Sequence, residues 1–409
     1  MKKFFIPFSV FILLEIFLIG CTKKNLETPT ADRLIQEKLQ TSVNQIMAQY
    51  TTKYPGFPGG IAIQMVSKSG TYFAASGMEA GITDQVHFRA ASNTKTFTST
   101  AILLLAQEGK LQIDAKIIDT IPGTKMTYVP LNPQYNIPYR SQITIRDLLQ
   151  HNAGVYDISN DSIPITVTAN VPYVGQNYLT YIGETDPKHS FTFDELVGVV
   201  ATCQISYAAP RVKHKYSNTG YSILGKIIER VSGMSYGQFI TERIFKPMGM
   251  TQSSMPFTGS DQLIPTPFAR GYYYLPATKE CTQSNISANV AEGNLITTPD
   301  DLSRFIRKLL RGEGVLTITT VNTILKNIPA GPLGDSRYAC GITFVPNLGW
   351  GHDGAHEGFL SRMVTDPDTD ITLVAFTNTW NLAGGMSTIV EQLTNVLDEA
   401  CLKAKVLVQ

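Results

Sequence analysis

Apolar positions recur at helical spacing from Ile35 through Leu39, Val43 and Ile46 to Tyr50, which predicts a helix over about residues 31–50. The period then changes. Gly59-Gly60 introduces the run IAIQMV, and Tyr72-Phe73-Ala74-Ala75 follows Lys68-Ser69-Gly70, so two strands joined by a tight turn are expected. From about residue 92 the stripe Phe97, Ala101, Leu104 and Leu105 reads as a helix that stops at Gly109. Thr144 and Asp147 have capping-box spacing ahead of Leu148 and Leu149. A further stripe, Tyr221, Leu224, Ile228 and Val231, is stopped by Gly233. Thr298-Pro299-Asp300-Asp301 then supplies an N-cap, a first-position proline and acidic first-turn residues for a helix carrying Leu302, Phe305, Ile306 and Leu309.

Beyond about residue 338 short apolar runs return, YACGITFV, LGWGHDG, GFLSRMVT and ITLVAFTN, separated by Pro, Gly and Asp turns, and they read as antiparallel strands. A last helix over about residues 385–402 carries Ile389, Leu393, Val396 and Ala400. Strands near both ends with helices between them predict an α/β fold of the α+β type. One antiparallel sheet is built from both chain ends with flanking helices, and a mainly helical subdomain is inserted into it. The expected boundaries are 31–91 with 331–409 for the sheet part and 92–330 for the helical part, together one unit.

Composition narrows the class without naming a function. The 409 residues are 43% hydrophobic, with 34 Lys and Arg against 33 Asp and Glu, enough apolar chain for a large core without disulfide or metal staples. A formal charge of +1 with no strong basic run argues against nucleic acid or an anionic membrane surface as the main partner. The first residues are different. Met1-Lys2-Lys3 precedes an almost wholly apolar stretch from Phe4 to Gly20, interrupted by Pro7 and Glu15, and this reads as an export signal over residues 1–20 followed by a polar linker over 21–30. Leu18-Ile19-Gly20-Cys21 resembles the lipobox of bacterial lipoproteins, in which the peptide is cut before the cysteine and the cysteine is acylated. That resemblance implies lipid attachment at Cys21 and a periplasmic or outer-face protein held to its membrane by the anchor. Removal of Lys2, Lys3 and Glu15 would leave acidic and basic residues equal in number.

The remaining cysteines, Cys203, Cys281, Cys340 and Cys401, are widely spaced with no CxxC or Cys/His pattern, so buried free thiols are expected ahead of disulfides or a zinc site. His352 and His356 have the spacing of a helical metal pair, but Gly351, Gly354 and Gly358 speak against a helix there. His87, His151, His189 and His214 read as structural or surface residues.

Ser92-Asn93-Thr94-Lys95 stands at the start of the Phe97 stripe, which puts an alcohol and an amine three residues apart on one helical face, about 5–6 Å between Cβ atoms. Serine needs an adjacent base to become a nucleophile, and a lysine amine serves once burial or nearby cations lower its affinity for protons. Taken alone, the tetrad is equally a helix-capping serine beside a solvated lysine. Tyr216-Ser217-Asn218 opening the next clear helix, and Gly351-His352-Asp353-Gly354 in the strand region, change that weighting.

Together these residues resemble the serine penicillin-recognising hydrolases: class C β-lactamases, D-Ala-D-Ala carboxypeptidases, D-aminopeptidases and related esterases. The motifs of that family, Ser-x-x-Lys, Tyr-x-Asn and Lys/His-x-Gly, occur in order, and ITIRDLLQHNAG, IFKPMGM, AEGNLITTPDDLSRF and GHDGAHEGFLSRM are similar as well. The resemblance covers about residues 45–400. It implies an acyl-enzyme on Ser92 with Lys95 as proton acceptor and Tyr216 as relay, its phenol made acidic by neighbouring cations. It implies that Asn218 holds Lys95, that His352 polarises the Tyr216 hydroxyl, that the N–H groups of Ser92 and Ala355 form the oxyanion hole, and that Gly354 leaves room for substrate. No cofactor or metal is implied.

Two departures bear on substrate. Members acting on β-lactams or on peptides with a free carboxylate commonly carry hydroxyl residues where this chain has Asp353 and Ala355. A carboxylate at Asp353 would repel an anion unless Arg337 or Arg362 offsets it. The expected activity is therefore a D-Ala-D-Ala carboxypeptidase or D-amino-acid peptidase type hydrolase on a small peptide, ester or β-lactam substrate, with a carboxylesterase or a non-catalytic binding relative as alternatives. Tyr173, Tyr178 and Tyr181 mark either a cleft lid or an aromatic-anchored surface loop.

Overall fold

The computed structural model describes Met1 and residues 30–275, 278–330 and 337–409; the expected export signal and Cys21 lie outside the described residues. Helix α1 (Ala31–Lys53) is capped by the Thr30 side chain, which accepts from Arg33 N, and it buries Leu39, Val43 and Ile46. Strands β1 (Ile61–Ser67) and β2 (Gly70–Ser76) form the expected hairpin, and β3 (Phe88–Ala91) leads into α2 (Thr94–Gln107). The inserted region contributes α3 (Phe193–Cys203), α4 (Asn218–Ser232), β4 (Leu295–Thr297) and α5 (Pro299–Arg311). The chain returns through β5 (Thr343–Val345), β6 (Gly349–His356), β7 (Phe359–Asp366) and β8 (Ile371–Thr377) to a terminal helical stretch, α6, running through Met386–Gln392, Leu393–Asp398 and Glu399–Val406. The predicted stops hold: Gly109 and Gly233 both take positive φ, 72° in each case, where a side chain would be strained. The short helix Ile145–Leu149 has the full Thr144/Asp147 capping box.

The sheet has the order β2-β1-β8-β7-β6-β5, antiparallel throughout, with Ile61 opposite Thr377 and His352 opposite Met363. It is an α+β arrangement in which the first and last strands contributed to this sheet, β1 and β8, are neighbours. Both faces are covered, so β8 is buried along its length. On one face Leu39 and Val43 of α1 and Leu397, Ala400 and Cys401 of α6 pack on Ile61, Ile63, Leu360, Val364 and Leu373. On the other, Ala62, Met363, Val374 and Phe376 join the core of the helical region, where Phe88 stacks on Phe376 at 4.2 Å between ring centres and Phe97 on Phe305 at 3.7 Å.

Residues 88–91 stand apart from this sheet. β3 pairs with β4 from the helical region, with a bulge between Arg89 and Ala91, and it packs across the face that carries β6 and β7. The end of β3 is thereby brought to the seam between sheet and helices.

Candidate active site

Ala91 is a non-glycine residue at φ 50°, a left-handed conformation that turns the chain sharply from β3 into α2. Ser92 consequently sits at the corner, two residues ahead of α2 instead of within it, and Lys95 N donates to Ser92 O at 3.0 Å. Asn93 pins the corner: its Nδ2 donates to Ala90 O and to Ser361 Oγ of β7, each at 2.8 Å. The predicted meeting of alcohol and amine occurs, with Lys95 Nζ 3.2 Å from Ser92 Oγ.

Lys95 is completely buried. Its Nζ lies 2.7 Å from Asn218 Oδ1 and 2.8 Å from the carbonyl oxygen of Glu292, with Glu292 Oε2 at 3.2 Å. Burial lowers the amine below the ordinary lysine range, against the pull of the Glu292, Asp157 and Asp353 carboxylates. Asn218 is the first residue of α4, whose N-cap Ser217 accepts from Gly220 N, and its own N–H donates to Asp157 Oδ2 at 3.1 Å. Asn218 is thus joined to the helix start, to a buried aspartate and to Lys95, the last being the contact the resemblance implied.

Tyr216 Oη donates to Ser92 Oγ at 3.0 Å, and Lys95 Nζ lies 4.8 Å from the centre of its ring. Burial pushes the phenol well above its usual range, so the expectation of an acidified tyrosine is corrected: Tyr216 is a neutral hydrogen-bond donor. The expected contact from His352 to Tyr216 is also corrected. His352 is 3% exposed, and its Nε2 lies 3.0 Å from the hydroxyl of Tyr338, which in turn meets Tyr216 edge-on at 6.2 Å between ring centres. Burial lowers His352 to about 4, which leaves it uncharged at neutral pH.

On β6, Gly354 faces β3 so closely that a Cβ would stand 2.2 Å from Ala90 O and 2.5 Å from Ser361 Oγ. Ala355 is exposed at the next position. Asp353 lies opposite Arg362 in the β6/β7 register, 3.7 Å from its guanidinium, and Arg362 also bonds Asp398 of α6 at 2.8 Å. Of the two arginines considered as compensation, Arg362 fills the role, while Arg337 is exposed. His352 and His356 both lie on β6, not on a helix. Tyr178 bonds Glu195 of α3 and packs edge-on with Tyr173, 4.9 Å between ring centres, which is the anchored-loop arrangement. Cys203, Cys281, Cys340 and Cys401 are free thiols.

Three residues close to the site were not singled out by sequence: Glu292, Asp157 and Tyr338. Glu292 carries a readable signal, a lone carboxylate inside the otherwise uncharged run Val290 to Ile296. His151, read as structural or surface, lies tilted against Tyr216 at 4.2 Å between ring centres, accepts from Ser217 N at 3.1 Å, and is held neutral chiefly by burial.

The chain matches the family model described as Beta-lactamase over residues 43–391. It is similar to Protein flp of Staphylococcus aureus (strain NCTC 8325 / PS 47), 33% identical over 171 residues, which are 42% of this chain and 28% of that protein, so it spans well under half the length of this relative. In fold it is similar to a D-stereospecific amidohydrolase from Streptomyces sp., with a TM-score of 0.67 and 24% identity over 87% of this chain and 98% of the other. It is likewise similar to the D-amino acid amidase from Ochrobactrum anthropi SV3, with a TM-score of 0.69 and 23% identity over 91% of this chain and 98% of the other.

Proposed function

We propose a function from one premise: the chain belongs to the beta-lactamase family, a family of serine hydrolases. The reading is hydrolysis of amide bonds in small D-amino-acid amides and peptides through an acyl-enzyme on Ser92. The observation that carries it is the position of Ser92 Oγ, 3.2 Å from the Lys95 amine and 3.0 Å from the Tyr216 hydroxyl. Lys95 removes the hydroxyl proton as Oγ attacks the carbonyl carbon. The N–H groups of Ser92 and Ala355 receive the oxyanion, each such donor typically contributing about 2.7–4 kcal/mol. Tyr216, as a neutral phenol, gives its proton to the leaving nitrogen and is reprotonated from Lys95, so no phenolate is needed. Water then repeats the sequence on the ester.

The substrate class draws on β6. Ala355 offers no hydroxyl to a substrate carboxylate, and Asp353 places a carboxylate, balanced by Arg362, beside the strand. Both features favour an uncharged amide or an α-ammonium over a free C-terminal carboxylate, in keeping with the amidases named among the similar folds. A panel of D-alanine amide, its L-isomer, D-alanyl-D-alanine peptides, short acyl esters and a chromogenic cephalosporin tests this. Preferential turnover of the D-amide supports the reading; rapid ester turnover with inert D-amides and D-peptides overturns it. We further propose, from the signal-like residues 1–20 and the lipobox-like Leu18-Ile19-Gly20-Cys21, that the protein is exported and held to its membrane by lipid at Cys21. Cys21→Ala is then expected to release it from membranes, and unchanged association would contradict the anchor.

A further inference from the structure

Glu292 has no role in the motifs, yet its carboxylate makes a direct contact with Lys95. It sits just before β4, 2% exposed, preceded by Ala291 in a left-handed conformation at φ 70°. Its Oε1 accepts from Asn289 Nδ2 at 2.6 Å, which turns Oε2 toward the amine. Four oxygens therefore surround Lys95 Nζ. Two of them, Asn218 Oδ1 and the Glu292 carbonyl oxygen, are amide oxygens at 2.7 and 2.8 Å that accept a hydrogen bond but do not keep a proton. The other two, Ser92 Oγ and Glu292 Oε2, lie at the same 3.2 Å. An ammonium paired with a carboxylate ordinarily closes to about 2.7–2.9 Å.

We propose that Glu292 is a positioning residue for Lys95, holding the amine's third proton so that the resting pair is a neutral amine beside a neutral carboxylic acid. The proposal rests on the acyl-enzyme reading of Ser92 and deepens it. The two amide oxygens use both N–H groups of the neutral amine and leave its lone pair for the Ser92 hydroxyl. As Oγ bonds to the carbonyl carbon, its proton passes to Lys95, which becomes ammonium beside a neutral Glu292. The leaving nitrogen then receives a proton through Tyr216, Lys95 returns to the amine, and Glu292 keeps its own proton throughout. A bare carboxylate would hold Lys95 in the ammonium form, unable to accept.

Solvation supports this distribution. The side chains of Lys95 and Glu292 are 0% and 3% exposed, an environment in which separated charge is costly. Burial lowers the amine and raises the carboxyl, each against the attraction of the other. Around the pair, Asp157 and Asp353 favour the ammonium, His151 and His352 are neutral, and the rings of Tyr216 and Tyr221 flank Nζ at 4.8 and 5.4 Å.

The test is the pH dependence of kcat/KM for acylation by a p-nitrophenyl ester, in the wild-type chain and in Glu292→Gln. Glu292→Gln replaces a neutral acid with a neutral amide, so the acid limb, set by Lys95 beside an uncharged neighbour in both chains, is expected to stay within about half a unit. A shift to lower pH by about one unit or more would overturn the proposal, because that is the effect of removing a counter-ion from a charged lysine. Difference infrared spectroscopy at neutral pH separates the proposal from a purely structural role: the carbonyl stretch of a protonated carboxylic acid is expected in the wild-type chain and not in Glu292→Gln, and carboxylate bands in its place would overturn the proposal. Should Glu292→Gln not fold, Glu292→Asp serves as the reference, in which the acid carbonyl band must shift. Failure of the acyl-enzyme reading is separable: it appears as absence of a Ser92 adduct in the wild-type chain, before any variant is compared.

Discussion

His352 Nε2 lies 3.0 Å from the hydroxyl of Tyr338 and makes no hydrogen bond to Tyr216. His352 therefore reaches the proton relay through an intermediate side chain, and that link can be cut without disturbing the packing. Tyr338→Phe keeps the buried ring and removes the hydroxyl. Loss of one such bond corresponds to about 1 kcal/mol, so kcat/KM is expected to fall by roughly fivefold to tenfold with KM little changed. Steady-state kinetics beside a thermal melt check this; unchanged kcat would mean that His352 only fills space.

Gly354 gives a second prediction. A Cβ at 2.2 Å from Ala90 O cannot be accommodated unless β6 moves away from β3. Gly354→Ala is expected to widen the gap between Ala355 and Ser92 and to lower kcat by about a hundredfold, the scale of one lost oxyanion donor. Rapid-quench measurement of the acylation step would show it.

The buried histidines predict a pH effect on stability. Burial lowers His352 to about 4 and His151 well below its ordinary value, whereas both titrate near 6.5 in the unfolded chain. Between about pH 4 and 6.5 the unfolded chain binds protons that the folded chain does not, so these groups lose stability as pH falls, by roughly 1 kcal/mol per unit for each. Glu292 and Asp157, raised by burial, act in the opposite direction in the same window. The comparison is therefore between wild type and His352→Gln in urea unfolding at pH 7 and 5. A smaller acid loss in the variant is expected; equal losses would contradict the assignment.

Much of this architecture was legible in the chain itself. The short apolar runs of β1 and β6 to β8, the Gly109 and Gly233 stops and the Thr144 capping box are local signals, and each produces its element wherever it lies. The pairing of β3 was not legible, because the run FRAA is a plausible strand with any partner, and its choice of β4 depends on residues about 200 positions away. The site divides in the same way. Ser92, Lys95, Tyr216 and Asn218 carry their meaning in spacing and do meet. Glu292, Asp157 and Tyr338 reach the site through tertiary contacts from distant segments, and the acidity expected of Tyr216 failed because burial, joined by the Glu292 and Asp353 carboxylates, outweighs the hydrogen bond with Ser92.

The central claim is that Ser92 is a nucleophile that becomes acylated. Intact-protein mass spectrometry after incubation with a fluorophosphonate or penicillin tests it most directly. A single adduct of the probe's mass that localises to Ser92 and is absent from Ser92→Ala is the predicted result, and an unmodified wild-type chain, or an adduct that persists in Ser92→Ala, would contradict it.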